Sequence, residues 1–371
     1  MPAISYTLTL DDSPLDAAVI GKLRKVECEE HADMADLLRL TFTLSQRENS
    51  SGWAVLDDSV FPRLAKLKFT INMGSNNSQP VMEGYVVEVA AEYGNDPANN
   101  SLSVVAFDAS VLMNLEEKAR AWAGMADSDI ASTIFGEYGF GTDVSSTQPT
   151  RADNVQTVIQ RSSDIQFLRQ LARRNGYECY VDLDPSSGQS IGHFHLPKYD
   201  DTPQGTLSIG MGRDSTIESL RIRYDFLRPA ATKIGNLDVY STDEQTAEIT
   251  SVSAQALGGI STLGDDRPRT VLVSPLGLDE ASELQTYAQA ITNRSALAIR
   301  AEGELNAQAY DGILRAKRPV LVRGVGREFS GTYYVERVLH SFEAGSYKQN
   351  FTLRRNATGV AGQEDFAAES S

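Results

Sequence analysis

The stretch Ile191-Gly192-His193-Phe194-His195 places two imidazoles two residues apart in a segment with strand rhythm, so both face the same side. Two histidines on one face could bind a metal ion if a third ligand came from elsewhere. No HExxH pattern or carboxylate cluster accompanies them, and the expectation is a pair of surface histidines without metal. Glu302 and Glu304 also share a strand face, a spacing that would permit a glycosidase-like carboxylate pair. A solvated strand face accounts for them equally well. Aromatic sugar platforms are missing nearby, since the only tryptophans are Trp53 and Trp122. The loop from Gly258 to Gly264 (GGISTLG) matches neither GxSxG nor GxxxxGK[ST], because Ser261 lacks its second flanking glycine and no lysine follows. Gly210-Met211-Gly212 is weaker still. With four histidines in the chain, a His-based triad has few places to form. These residues read as a protein that is not an enzyme, with no catalytic, cofactor-binding or metal-ligating group.

What must position these residues is a chain of 371 residues, long enough for two or three domains. Its composition, 41% hydrophobic and 23% charged, is that of a globular protein. A net charge of −16 argues against a protein built to grip nucleic acid, which needs clustered Lys and Arg. The same surplus suits a wall past which polyanions slide without sticking, or simply keeps the chain in solution. Cys28 and Cys179 are far apart and form no CxxC, so neither a disulfide framework nor a zinc–thiolate site is expected. The N-terminus has no basic start followed by an apolar stretch, and no apolar run reaches 18 residues. The expectation is a chain made and folded in the cytoplasm, with no membrane insertion of its own.

The first hundred residues read as β. Tyr6, Leu8 and Leu10 alternate before an Asp-Asp-Ser-Pro turn, and LRKVECEE, LLRLTFTLS, LAKLKFTINMG, VMEGYVVEVAAEYG and SLSVVAFDAS follow as strands. Near residue 110 the pattern changes: VLMNLEEKARAW suggests the start of a helix, and DSDIASTIFGEYGF contains one capped by Asp127 or Ser128. In QRSSDIQFLRQLARRNGYECYVD, Ser162 or Ser163 caps a helix whose Ile165, Leu168, Leu171 and Ala172 recur at helical spacing. Arg173 and Arg174 suit its last turn, and Gly176 supplies the left-handed stop before a strand. Strands resume with STIESLRIRYDF and ATKIGNLDVYS, followed by a long Ser/Thr/Gly-rich loop over 241–275 and a helix over 279–297. Four further strands then close the chain. The fold expected is mainly β with an α+β insert: two tandem, similar antiparallel β-barrels around an α+β middle domain. Its divisions are 1–110, a first tube-like barrel; 111–213, the middle domain; 214–357, a second barrel with a loop-and-helix insert at about 241–297; and 358–371, a flexible acidic tail. Two segments support the duplication. GYVVEVAAEYGNDPANNSLSVVAFDA (84–109) and TYYVERVLHSFEAGSYKQNFTLRRNA (332–357) share an aromatic, Val and Glu at matching offsets, then a polar hairpin and a second strand.

In its order of motifs the chain resembles the late control protein D family of contractile-tailed phages, the baseplate hub, and the N-terminal hub part of type VI secretion spike proteins. The family segment S-D-x-x-F-L-R-x-L-A-x-x-x-G-Y/F is matched by Asp164, Phe167, Leu168, Arg169, Leu171, Ala172, Gly176 and Tyr177. The strand Y-x-V-x-x-V-x-H-x-F is matched by Tyr333, Val335, Val338, His340 and Phe342. The resemblance spans about residues 5–356 and implies a structural hub: a homotrimeric ring that adapts a six-fold tail tube to a three-fold spike and lines the central channel. Implied partners are the tube or tube-initiator protein, a separate spike protein, baseplate wedge proteins, and DNA or effector cargo passing without specific binding. No cofactor is implied. The implied location is the baseplate of a virion or contractile particle, assembled in the bacterial cytoplasm. The alternatives are a distal-tail or tube-initiator ring protein and, from another class, a peptidoglycan-degrading baseplate enzyme.

Overall fold

In a computed structural model, residues 4–47, 52–74, 77–148, 157–237, 244–264, 268–274, 281–307 and 309–362 are described. The alternating N-terminal segments form β1 (Ile4–Leu10), β2 (Ser13–Pro14), the short α1 (Ala17–Ile20), β3 (Leu23–His31), β4 (Leu37–Thr43), β5 (Lys66–Met73), β6 (Asn77–Glu92) and β7 (Ser101–Asp108). Burial follows period two, as a sheet with one packed face requires: Leu38, Leu40 and Phe42 of β4 meet Leu67, Phe69 and Ile71 of β5 in one core.

The central segment holds β8 (Glu117–Ala123), α2 (Asp127–Glu137), β9 (Gly141–Val144), β10 (Thr157–Ser163), α3 (Asp164–Asn175), β11 (Glu178–Leu183) and β12 (Ser190–His195). Its own core packs Ile130, Ile134 and Phe135 of α2 against Ile165, Leu168 and Leu171 of α3. Then come β13 (Thr206–Ser208), β14 (Ile217–Tyr224), β15 (Ala230–Leu237), β16 (Glu244–Ile249), β17 (Ile260–Ser261), β18 (Arg269–Val273) and α4 (Ala281–Ser295). The chain closes with β19 (Ile299–Leu305), β20 (Pro319–Arg323), α5 (Gly326–Phe329), β21 (Gly331–Glu343), β22 (Ser346–Arg355) and β23 (Ala357–Thr358).

Two six-strand paths repeat one design. The first runs β3-β4-β7-β6-β5-β1 and the second β14-β19-β22-β21-β20-β13, so strands of equal rank along the chain take equal places. Each path has a β-bulge directly after the Tyr-Val pair of its long hairpin, between Val86 and Glu88 in one and Val335 and Arg337 in the other. An extra residue directly after each Tyr-Val pair bends both hairpins alike. The paths differ at one end, where β1–β5 is antiparallel and β13–β20 parallel. They join through β21–β3, where the part of β21 beyond β20 pairs with the end strand of the first path, from Arg337 opposite His31 to Glu343 opposite Lys25, within one 13-stranded sheet. Joining covers the open side of β3 and the stretch of β21 that β20 does not reach. No ladder joins the two ends of either path among the described residues.

Several local expectations change. VLMNLEEKARAW holds no α-helix: its first four residues end a 3-10 helix at Ala109–Asn114, capped by the Asp108 carboxylate on the Ser110 N–H at 2.8 Å, and the chain then enters β8. β8 pairs along its whole length with the distant β10, a tertiary ladder that overrides the helix propensity of Leu, Glu, Lys and Ala. α2 starts after Ala126 with no side-chain cap, so neither Asp127 nor Ser128 has the role assigned to it. Ser163 stands at the N-cap of α3, but its hydroxyl bonds Asn114 Oδ1 at 2.6 Å instead of the helix. Gly176 does end α3 in the left-handed region, φ 71°. The stretch 241–275 is partly sheet, because β16 and β18 flank β15, with α4 packed on them. The start of the tail is ordered through β17–β23 and the bond from Gly359 N–H to Glu328 O, while residues 363–371 lie outside the described residues.

Candidate functional site

The three parts of the chain meet at a buried ionic junction. Glu30 on β3, Asp36 beyond it and Asp108 at the end of β7 come from the first path; Arg315 and Lys317 precede β20 of the second. Arg315 Nε donates to Glu30 Oε1 at 2.5 Å and its Nη2 to Val81 O at 2.9 Å, and Glu30 Oε2 accepts the Ala316 N–H at 2.9 Å. Lys317 Nζ grips both oxygens of Asp36, at 3.0 and 2.8 Å, while its backbone takes φ 65°. A left-handed lysine is uncommon, and the ion pair helps to hold it there. The central segment joins through β11: Lys317 lies over the Tyr180 ring, 4.6 Å from its centroid, and Glu178 Oε2 accepts the Tyr334 hydroxyl at 2.7 Å.

Burial pushes the Glu30 carboxyl up, but Arg315, His340 and Lys317 more than offset it and hold it below its usual range. Burial pushes Lys317 down, and Asp36, Asp182 and Glu30 more than offset that, so the ammonium is kept charged. Burial raises Asp36 and Asp108, with Lys317 drawing both back. Among the described residues Glu178 has no ion-pair partner; burial pushes it up to about 7 against the weaker pull of Tyr334, Lys317 and Arg294. Beside it opens a cleft of about 220 Å³, lined among others by Asp33, Arg173, Tyr199 and Arg294, with Arg294 paired to Asp33 at 2.9 Å.

The motif residues are packing and tethering groups. Asp164 Oδ2 accepts from Lys118 Nζ (2.5 Å) and Tyr138 Oη (2.7 Å), and its Oδ1 from Gln160 Nε2 (2.6 Å), binding α3 to the β8–β10 ribbon and α2. Burial raises that carboxyl, and these bonds bring it below the usual range. Arg174 and Asn175 in the last turn of α3 hold the Asp127 carboxylate in the first turn of α2. Tyr333, Val335, Val338, His340 and Phe342 are all buried. His340 Nδ1 lies 2.8 Å from Tyr347 Oη, and burial lowers its pKa to about 4.

Of the candidates for chemistry, Glu302 and Glu304 pair with Arg300 (2.7 Å) and Lys348 (2.9 Å) and face no common partner. Gly258 packs where a side chain would strike Arg355 and the Gly359 carbonyl, so its loop is a backbone contact. The two histidines are not the surface pair expected: His195 is buried and His193 half-buried, and Asp143 on the parallel neighbour β9 brings Oδ2 to 3.1 Å from His193 Nδ1. Sequence reasoning missed Asp143 and Asp182, which come from separate segments. Arg315 and Lys317 were missed as well; a basic pair just before an apolar strand was their only signal.

The fold is shared with phage and bacterial tail proteins and with a component of a type VI secretion system. The 43 kDa tail protein of prophage MuSo2 from Shewanella oneidensis superposes with a TM-score of 0.69 at 13% identity, over 96% of this chain and 100% of that one. A tail protein from Neisseria meningitidis MC58 gives 0.65 at 12%, over 95% and 97%. The E. coli c3393 protein, a type VI secretion component similar to the T4 tail proteins gp27 and gp5, gives 0.57 at 13%, over 97% and 79%. At these identities the likeness establishes a shared fold. No curated protein matches in sequence. Residues 48–344 match the Alg8 N-terminal domain family, and the chain belongs to that family. This corrects the reading that the chain is not an enzyme, since the family points to a possible enzyme. Local spacing tests only motifs that are contiguous in sequence, whereas this fold gathers titratable groups from separate segments.

Proposed function

We propose that the chain is a structural component of a contractile-tail or injection-particle baseplate, and within it the hub: a homotrimer around a central channel, mating a six-fold tube to a three-fold spike. The observation that carries this is the repeated six-strand path with its two equivalent bulges. Three copies of a chain with two similar units present six similar units in a ring, which suits a six-fold partner on one face and a three-fold partner on the other. On this reading the two paths curl into barrel domains, the α+β segment sits between them, and tube, spike and wedge proteins are the neighbours. The fold shared with tail and secretion-spike components supports it. Native mass spectrometry of the purified protein and copy counting in particles test it. Three copies per ring are expected; a stable monomer in particles, or six copies, would refute the hub. Incubating the purified chain with peptidoglycan and following released fragments tests whether catalysis accompanies the structural role.

A further inference from the structure

Three donor atoms converge where β9 and β12 run side by side. His193 Nδ1 lies 3.1 Å from Asp143 Oδ2 and 3.4 Å from His195 Nε2, and His195 Nε2 lies 3.5 Å from Asp143 Oδ2. A zinc ion with bonds of about 2.0–2.1 Å in tetrahedral geometry sets its ligand atoms roughly 3.3–3.4 Å apart. The triangle therefore has the size of one face of such a site.

The opposite ring nitrogens show which way the lone pairs point. His193 Nε2 is 2.8 Å from Asp182 Oδ1, and His195 Nδ1 is 2.8 Å from the Leu196 carbonyl. Both partners accept only, so both nitrogens carry the proton. In the neutral rings, His193 Nδ1 and His195 Nε2 then turn unprotonated lone pairs towards each other and towards a carboxylate oxygen. With the rings neutral, a cation between these three acceptors would satisfy all of them at once. Asp182 and Leu196 O also provide the outer bonds that metal-bound imidazoles ordinarily make. The Tyr180 ring stacks on His193 at 4.4 Å and fixes its orientation. One competitor is present: Lys198 Nζ is 2.7 Å from Asp143 Oδ2. That oxygen has lone pairs for both a metal and an ammonium hydrogen bond, and Lys198 is part-exposed and can swing away. A second cleft, lined by Ser145, His195 and Lys198, opens beside His195.

We propose that Asp143, His193 and His195 form a zinc site that pins β9 to β12. Two imidazoles and a carboxylate at tetrahedral spacing suit zinc better than magnesium or calcium, which take oxygen ligands at higher coordination. The test is titration of the chelator-stripped full chain with zinc and with magnesium by calorimetry at pH 7.5, beside cobalt(II) absorption. About one zinc per chain is expected, with no magnesium heat, and with the intense visible bands of tetrahedral cobalt. Asp143→Asn and His195→Gln should lose zinc binding, and Asp182→Asn should weaken it about 10–100-fold. Circular dichroism separates lost ligands from lost fold; Asp143 is part-exposed, so its variant is expected to keep the fold. Absence of zinc binding in the folded wild type, or unchanged binding in folded Asp143→Asn, overturns the site.

Discussion

Lys317→Met tests whether the ionic junction holds the two strand paths together. The Lys317 and Asp36 side chains are 6% and 5% exposed, and the ammonium meets both carboxylate oxygens. Removing one partner of such a pair strands the other charge in a poorly solvating interior, at about 3–5 kcal/mol. Here the stranded Asp36 would also face Asp108, whose Oδ2 already accepts the Asp36 N–H at 2.5 Å. Loss of the contact with Tyr180 adds roughly 0.5–2 kcal/mol. That is a large part of the 5–15 kcal/mol typical of a whole domain. Asp36→Asn keeps an oxygen for the His31 N–H, now bonded at 2.8 Å, and leaves Lys317 the nearby Asp182 and Glu30, so it should cost less on its own. With both changes the uncompensated charge is gone, so the double variant should recover about 2 kcal/mol or more of the summed single costs. Without the lysine, Asp36 takes a proton more readily in the folded state, so the cost of Lys317→Met should shrink as pH falls from 8 to 5. Urea unfolding of the four proteins, followed by tryptophan fluorescence and circular dichroism, measures all of this. A single-variant cost under about 1 kcal/mol, or additive costs in the double variant, would show that the junction is incidental to stability.

Leu171→Ala should cost roughly 2–5 kcal/mol, because the side chain is buried between α2 and α3, whereas exposed Arg173→Ala should stay within about 0.5 kcal/mol; thermal melting compares them. Glu178 gives a pH signature. Its folded pKa lies at about 7, above the usual carboxyl value, so the folded state holds the proton more tightly and stability falls as pH rises through the window from about 4.5 to 7. The change is on the order of 3 kcal/mol, and Glu178→Gln should flatten that part of the curve of unfolding midpoint against pH; an unchanged slope would assign the dependence to another group. Breaking the grip of α3 on α2 with Arg174→Ala should loosen the central segment first, seen as faster hydrogen exchange in α2 and α3 than in β3 or β21.

Much of the β framework was legible in the sequence because its causes are local. Period-two burial in β3, β4 and β5 follows directly from alternating residues, and Gly176 stops α3 because it takes a left-handed conformation without a Cβ clash. The matched Tyr-Val pairs at 85–86 and 334–335 announced the repeat before the shared bulge was seen. Tertiary structure decided what depends on distant partners. β8 is a strand because β10 lies beside it, and β16 and β18 are strands because β15 does. Cys179 and Val181 of β11 face the central core, and Glu178 and Tyr180 on its other face are buried as well, against the second strand path. Asp143 reaches His193 and His195 only because β9 runs parallel to β12, and Asp36 meets Lys317 only because β21 joins β3. Spacing along a chain sets which face a side chain points to, but which charge stands opposite is set by strand pairing across hundreds of residues, and there the electrostatic energy of this protein is decided.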